Sequence, residues 1–130
     1  YPGTEECSYY LYAMDFKAEQ WDGVTRAQFI KAVLAEGVPI GPYIPFGLHK
    51  YDWVDFICNL DAYKKMYGEK RLKEYKEMTK NLPICDRVAD RMLLIQGSPV
   101  LTADQSAMDD IINAFNKVWD NRDKVKTIKV

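Results

Sequence analysis

The sequence predicts an α+β fold, a small and mainly antiparallel sheet with helices packed on one face. Two segments carry strand signals: alternating aromatic residues over 8–16, and the short apolar run Leu93-Leu94-Ile95. Two others, 25–36 and 108–119, repeat apolar residues at the three-and-four spacing of an amphipathic helix. The two patterns interleave along 130 residues, a common size for one domain with one core. The whole chain, 1–130, is therefore read as a single domain, with a charged helical or loop insertion at about 51–81.

In residues 8–16, Tyr10, Tyr12, Met14 and Phe16 alternate with Leu11, Ala13 and Asp15. That period of two, with three aromatic residues on one side, reads as a strand with one bulky face. The polar stretch after it ends in Asp22-Gly23, a turn signal. Thr25 opens a helix. Gln28 stands three residues on, giving the capping box T-x-x-Q, in which each side chain bonds the other's backbone N–H. Phe29, Ile30, Val33 and Leu34 follow at helical spacing, and Gly37 ends the helix. Val38-Pro39-Ile40 reads as a short extended piece.

Residues 41–50 hold two prolines and two glycines among aromatic and apolar side chains, a structured loop rather than a linker. Tyr51, Trp53, Phe56, Tyr63 and Tyr67 keep the next stretch aromatic, and 69–80 reads as a solvated helix or mobile loop. Pro83 starts another helix at its favoured first-turn position, with Ile84, Val88, Ala89 and Met92 on one face. A buried strand follows at Leu93-Leu94-Ile95, then a turn at Gly97 and Pro99. The last helix carries Met108, Ile111, Ile112, Phe115, Val118 and Trp119 as one apolar stripe. Thr102 or Ser106 is the expected cap, with Asp104, Asp109 and Asp110 near the positive helix end. Residues 121–130 are basic and expected to fray. The order is strand, helix, strand, irregular insert, helix, strand, helix.

Composition narrows the function. Apolar residues make up 48% and charged residues 28%, the balance of a soluble globular protein. A net charge of -1 gives no reason to expect a nucleic-acid partner, which favours a strongly basic face. No apolar run reaches the roughly 18 residues a membrane helix needs, so no membrane partner is expected. Cys7, Cys58 and Cys85 are widely spaced, without a C-x-x-C, and His49 is the single histidine. A structural metal is not expected from that set. The thiols read as small apolar residues of a reducing, cytoplasmic environment. The chain opens on Tyr1 rather than Met, and is read as a piece of a longer polypeptide.

Five segments carry a resemblance in a shared order. They are Y-Y-L-Y at 9–12, R-A-Q-F-I-K-A-V-L-A-E-G-V-P at 26–39, G-P-Y-I-P-F-G-L-H at 41–49, L-P-I-C-D-R-V-A-D-R at 82–91, and M-D-D-I-I-N-A-F-N-K-V at 108–118. Together they resemble the C-terminal small domain of the DegT/DnrJ/EryC1/StrS family, pyridoxal-phosphate-dependent sugar aminotransferases of fold type I. Two departures stand out: an added Pro-Phe-Gly arrangement at 43–49, and a longer, more charged stretch at 51–81 that suggests a subfamily insertion.

The resemblance implies a division of labour. Transamination needs a lysine that forms a Schiff base, an acid partner for the pyridine nitrogen and a phosphate cradle. All three would belong to a large domain of the same polypeptide, working as a homodimer. Here no lysine stands in the family's Ser-x-x-Lys context, and the glycines are scattered rather than gathered in a phosphate loop. The chain alone is expected to hold no pyridoxal phosphate, to contain no catalytic residue and to be inactive. Its part would be one wall of the substrate cleft. Tyr43 and His49, on the proline-stiffened loop, are the substrate-binding candidates: a hydroxyl and an imidazole suit sugar hydroxyls or a donor carboxylate. Both residue types also serve as ordinary packing groups. Arg87 could reach a carboxylate but reads rather as a solvent-side residue beside Asp86 and Asp90; Tyr51, Trp53 and Phe56 could form a sugar-stacking surface but read rather as core or as an interface to the large domain.

Two other readings stand beside this one. The chain could be an independent α+β ligand-binding or dimerisation module. It could also be a stand-alone enzyme using His49 with Asp52 or Asp55 as acid and base; this is the weakest of the three, because no nucleophile or metal partner accompanies His49.

Overall fold

The computed structural model describes residues 3, 10–95, 97, 100 and 102–130. Along the chain the elements run β1 (Tyr12–Asp15), α1 (Arg26–Ala35), β2 (Ile40–Gly41), α2 (Trp53–Asn59), α3 (Asp61–Tyr67), α4 (Glu69–Thr79), α5 (Pro83–Arg91), β3 (Met92–Ile95), α6 (Gln105–Asp120) and α7 (Arg122–Val125). This is the expected α+β order, with the insert folded as helices. Two compact units result: Tyr1–Tyr43 with Arg91–Val130, and Ile44–Asp90.

The first unit is built on a three-stranded antiparallel sheet in the order β1-β3-β2. Central β3 carries the apolar run, and Leu93, Leu94 and Ile95 are all buried. Met14 faces Leu93 and Ile40 faces Ile95 across the ladder, so one sheet face is continuously apolar. That face joins Phe29, Ala32 and Val33 of α1 with Ala114 and Val118 of α6 and Val125 of α7 in one cluster. Above it the rings of Trp21, Phe29, Phe115 and Trp119 meet edge-on, with centroids 4.7 to 5.7 Å apart.

Helix ends obey local chemistry. The capping box of α1 forms as expected: Gln28 N donates to Thr25 Oγ1 at 3.2 Å and Thr25 N donates to Gln28 Oε1 at 2.9 Å. Gly37, at φ +90°, turns the chain out of α1. The cap of α6 is Asp104, not Thr102 or Ser106. Its Oδ1 accepts from Ala107 N at 3.1 Å and from Ser106 Oγ at 2.8 Å. A carboxylate there meets both the free amides and the positive helix end, which a hydroxyl meets less well. Those bonds, Ser106 first, hold the Asp104 carboxyl below its ordinary value of 3.8. The folded state therefore favours the ionised form. The stabilisation is full above the ordinary value and lost as pH falls through the depressed one. Asp104→Ala is expected to melt below the parent at neutral pH, and the gap to close in acid; a gap that persists unchanged at low pH rejects the assignment.

Several expectations need correction. Among the described residues the first strand spans Tyr12–Asp15 rather than 8–16, and it pairs there with the four residues of β3. Tyr10 lies outside it, exposed, and Ser8 and Tyr9 lie outside the described residues, as do Cys7 and Pro99. In α5 only Ala89 is buried; Ile84 is 66% exposed and Val88 is also open. On α6 the stripe narrows to Ala114 and Val118, with Ile111 and Phe115 partly covered and Ile112 exposed. The chain end does not fray: Gln28 Nε2 donates to the carbonyls of Lys126 and Ile128 at 2.7 and 3.1 Å, and Val125 is buried.

Gln28 thus ties both its own helix start and the C-terminal segment. Gln28→Glu keeps the acceptor for Thr25 N but removes the Nε2 donor. It is expected to cost about 1–2 kcal/mol and to speed amide exchange at Thr127 and Ile128. Unchanged exchange there would mean that the side chain does not hold the tail.

The second unit is poorer in apolar cover. Helix α2 contributes Val54 and Cys58 and helix α4 Leu72 as buried side chains, whereas α3 contributes none. Gly68, at φ +77°, makes the reversal between α3 and α4. Helix α4 is the solvated helix expected at 69–80, with Leu72 its single buried residue. Lys76 on α4 pairs with Asp55 on α2.

Candidate functional site

The loop that carries the candidates is shaped by close contact more than by backbone strain. Gly47 is buried and has φ -58° and ψ 141°, a conformation open to any residue. It is needed for space. A Cβ there would lie 2.5 Å from His49 Cε1 and 2.6 Å from His49 Nδ1. The imidazole lies against the glycine backbone, in a 3-10 turn at Leu48–Lys50. Two contacts hold that turn: Trp53 Nε1 donates to the carbonyl of Leu48 at 2.8 Å, and Phe46 packs on Tyr51 with ring centroids 4.5 Å apart.

The partner of His49 is Asp86, in the first turn of α5. Asp86 Oδ1 lies 3.3 Å from His49 Nε2 and 2.8 Å from Lys50 Nζ. These are ion-pair distances at angles that make no hydrogen bond, and both imidazole nitrogens and Oδ1 lack a hydrogen-bond partner. The His49 side chain is 4% exposed. The cluster is thus held by packing and by charge rather than by aligned hydrogen bonds. An imidazole beside a carboxylate and an ammonium can accept, donate or relay a proton. Access to it is closed in the conformation seen.

Tyr43 belongs to the first unit and His49 to the second. Tyr43 is 57% exposed, so its ring is open to a ligand. The acid–base alternative with Asp52 or Asp55 does not form. Asp55 is held by Lys76, Asp52 is exposed at the start of α2, and Asp86 takes the place beside His49. Arg87 is exposed, as expected. The aromatic group is not core: Tyr51 is half-buried, but Phe56 is 65% exposed and Trp53 is also open. Cys58 is buried and Cys85 exposed.

The lysines of the described residues lie in open surroundings. A lysine that attacks a carbonyl must be neutral, which burial promotes by lowering its pKa. Among the described residues no lysine is buried, and Lys76 is shifted the other way, its pKa raised chiefly by the hydrogen bond to Asp55. Among the same residues no group of three or more His, Cys, Asp and Glu side chains is placed to hold a metal ion, and no helix is long and apolar enough to cross a membrane.

The chain is similar to an L-glutamine:2-deoxy-scyllo-inosose aminotransferase of Streptoalloteichus tenebrarius, with 29% identity over 119 residues, 90% of this chain and 27% of that protein. It is also similar to a protein of Micromonospora echinospora to which an L-glutamine:3-amino-2,3-dideoxy-scyllo-inosose aminotransferase activity is ascribed, with 31% identity over 121 residues, 85% of this chain and 26% of that protein. The chain spans about a quarter of the length of these relatives. No known family profile matches it. No solved structure matches it either.

Proposed function

We propose that this chain is the small, cleft-forming lobe of a pyridoxal-phosphate-dependent sugar aminotransferase of the DegT/DnrJ/EryC1/StrS type, acting on a keto-sugar or cyclitol. A large domain of the same polypeptide would hold the cofactor and the reactive lysine, and the working assembly would be a homodimer in the cytoplasm. The observation that carries this reading is the similarity to two inosose aminotransferases over 119 and 121 residues. The α+β order supports it. Pyridoxal phosphate, when bound, supplies the electron sink for moving the amino group. This chain would bind and orient the acceptor. Tyr43 is open for that contact, whereas His49 would first have to leave its place beside Asp86.

Two measurements test it. The purified chain is incubated with pyridoxal phosphate, reduced with borohydride and mapped by mass spectrometry. Labelling is expected to scatter over exposed lysines; one lysine labelled stoichiometrically would overturn the assignment of the reactive amine to another domain. In the full-length protein, Tyr43→Phe is expected to raise KM for the keto acceptor about tenfold, one hydrogen bond's worth. A full-length protein that transfers no amino group to any keto-sugar or keto-cyclitol rejects the reading.

A further inference from the structure

The second unit contains a cavity of about 290 Å³ that the aminotransferase reading does not use. Its floor is Ile57, Cys58 and Leu72, and its walls are Tyr63, Tyr67 and Tyr75. The spacing explains how it forms. Tyr63 and Tyr67 lie one turn apart on α3, with ring centroids 5.7 Å apart. Arg71 and Tyr75 lie one turn apart on α4, beside the buried Leu72. Arg71 is the single charged residue in the lining. Glu74 comes no closer than 3.8 Å to its Nη1, so the guanidinium is loosely paired and free to take another anion.

We propose that this cavity binds a small planar carboxylate, its ring system lying among the three tyrosines and its carboxylate meeting Arg71. The size suits one or two fused rings, near the lower end of known ligand sites at roughly 300 Å³. Rings gain from offset or edge-on stacking against tyrosine. A carboxylate gains from the guanidinium fork, whose paired N–H donors match its two oxygens and give a neutral group no equivalent. Lysines and acids of α4 lie outside this lining.

Naphthalene-2-carboxylate is a fluorescent probe of that shape, and naphthalene-2-methanol is its neutral isostere. Titration of the whole chain is expected to saturate at one carboxylate per molecule, with the isostere at least tenfold weaker. Arg71→Gln, at an exposed position, is expected to keep the circular dichroism and melting of the parent and to weaken the carboxylate at least tenfold. Ring-proton shifts in the titration are expected at Tyr63, Tyr67 and Tyr75. Lack of saturation, equal affinity for acid and isostere, or shifts at other tyrosines alone would each overturn the proposal. The test requires neither cofactor nor amino transfer, so its result is independent of the aminotransferase reading.

Discussion

Phe29→Ala is expected to cost the first unit about 3–5 kcal/mol, the range for deleting a large buried ring. Phe29 is 2% exposed and is the hub of the aromatic group. Its ring lies 5.3 Å from Phe16, 4.7 Å from Trp21 and 5.7 Å from Phe115. The change removes apolar area and leaves a void that the sheet face and α6 cannot both close. Domain stabilities run to about 5–15 kcal/mol, so the loss takes about a fifth of the total or more. Phe29→Leu retains burial but gives up the ring contacts, and about 1–1.5 kcal/mol is expected. Denaturant melts with unchanged slope would read both values. If Phe29→Ala melts within a few degrees of the parent, α1 is not anchored through this ring and the described core is wrong.

Local patterns were legible in the sequence where one face meets one partner. The Thr25–Gln28 box, the Gly37 stop and the run at 93–95 each depend on neighbours within a few residues, and each formed as expected. Choices among equivalent residues were not legible. Thr102, Asp104 and Ser106 can all cap a helix, and only the path of the backbone selects Asp104. Long-range ties left no trace. Nothing in residues 121–130 marks the carbonyls that Gln28 reaches. The shared apolar face of α5 was legible, but periodicity reports a pattern, not what covers it, and Ile84 stands open. The site shows the same limit. His49 was found as the single histidine, but Asp86, far along the chain, has no local feature that pairs it with an imidazole. Gly47 was counted among loop glycines, where φ is the usual reason for the residue. Its actual reason is a ring two positions on, visible only in three dimensions.

Gly47→Ala is the second large effect expected, and it tests that reading directly. The backbone at Gly47 already suits alanine, so no dihedral penalty arises. The whole cost comes from the added methyl, which would sit 2.5 Å from Cε1 and 2.6 Å from Nδ1 of His49. The imidazole is packed in with 4% exposure, so ring or turn must move. Overpacking of this kind costs about 1–3 kcal/mol. A double-mutant cycle isolates the cause. His49→Ala empties the space the methyl needs, so Gly47→Ala placed on that background is expected to be close to neutral. The coupling between the two sites should approach the whole single-mutant cost, as for residues in direct contact. Equal destabilisation by Gly47→Ala in both backgrounds would show that His49 does not fill that space. Asp86→Asn adds an independent check, since Oδ1 stands 3.5 Å from the same point and is ordinary contact there. It leaves the steric conflict in place, and the penalty of Gly47→Ala is expected to survive it.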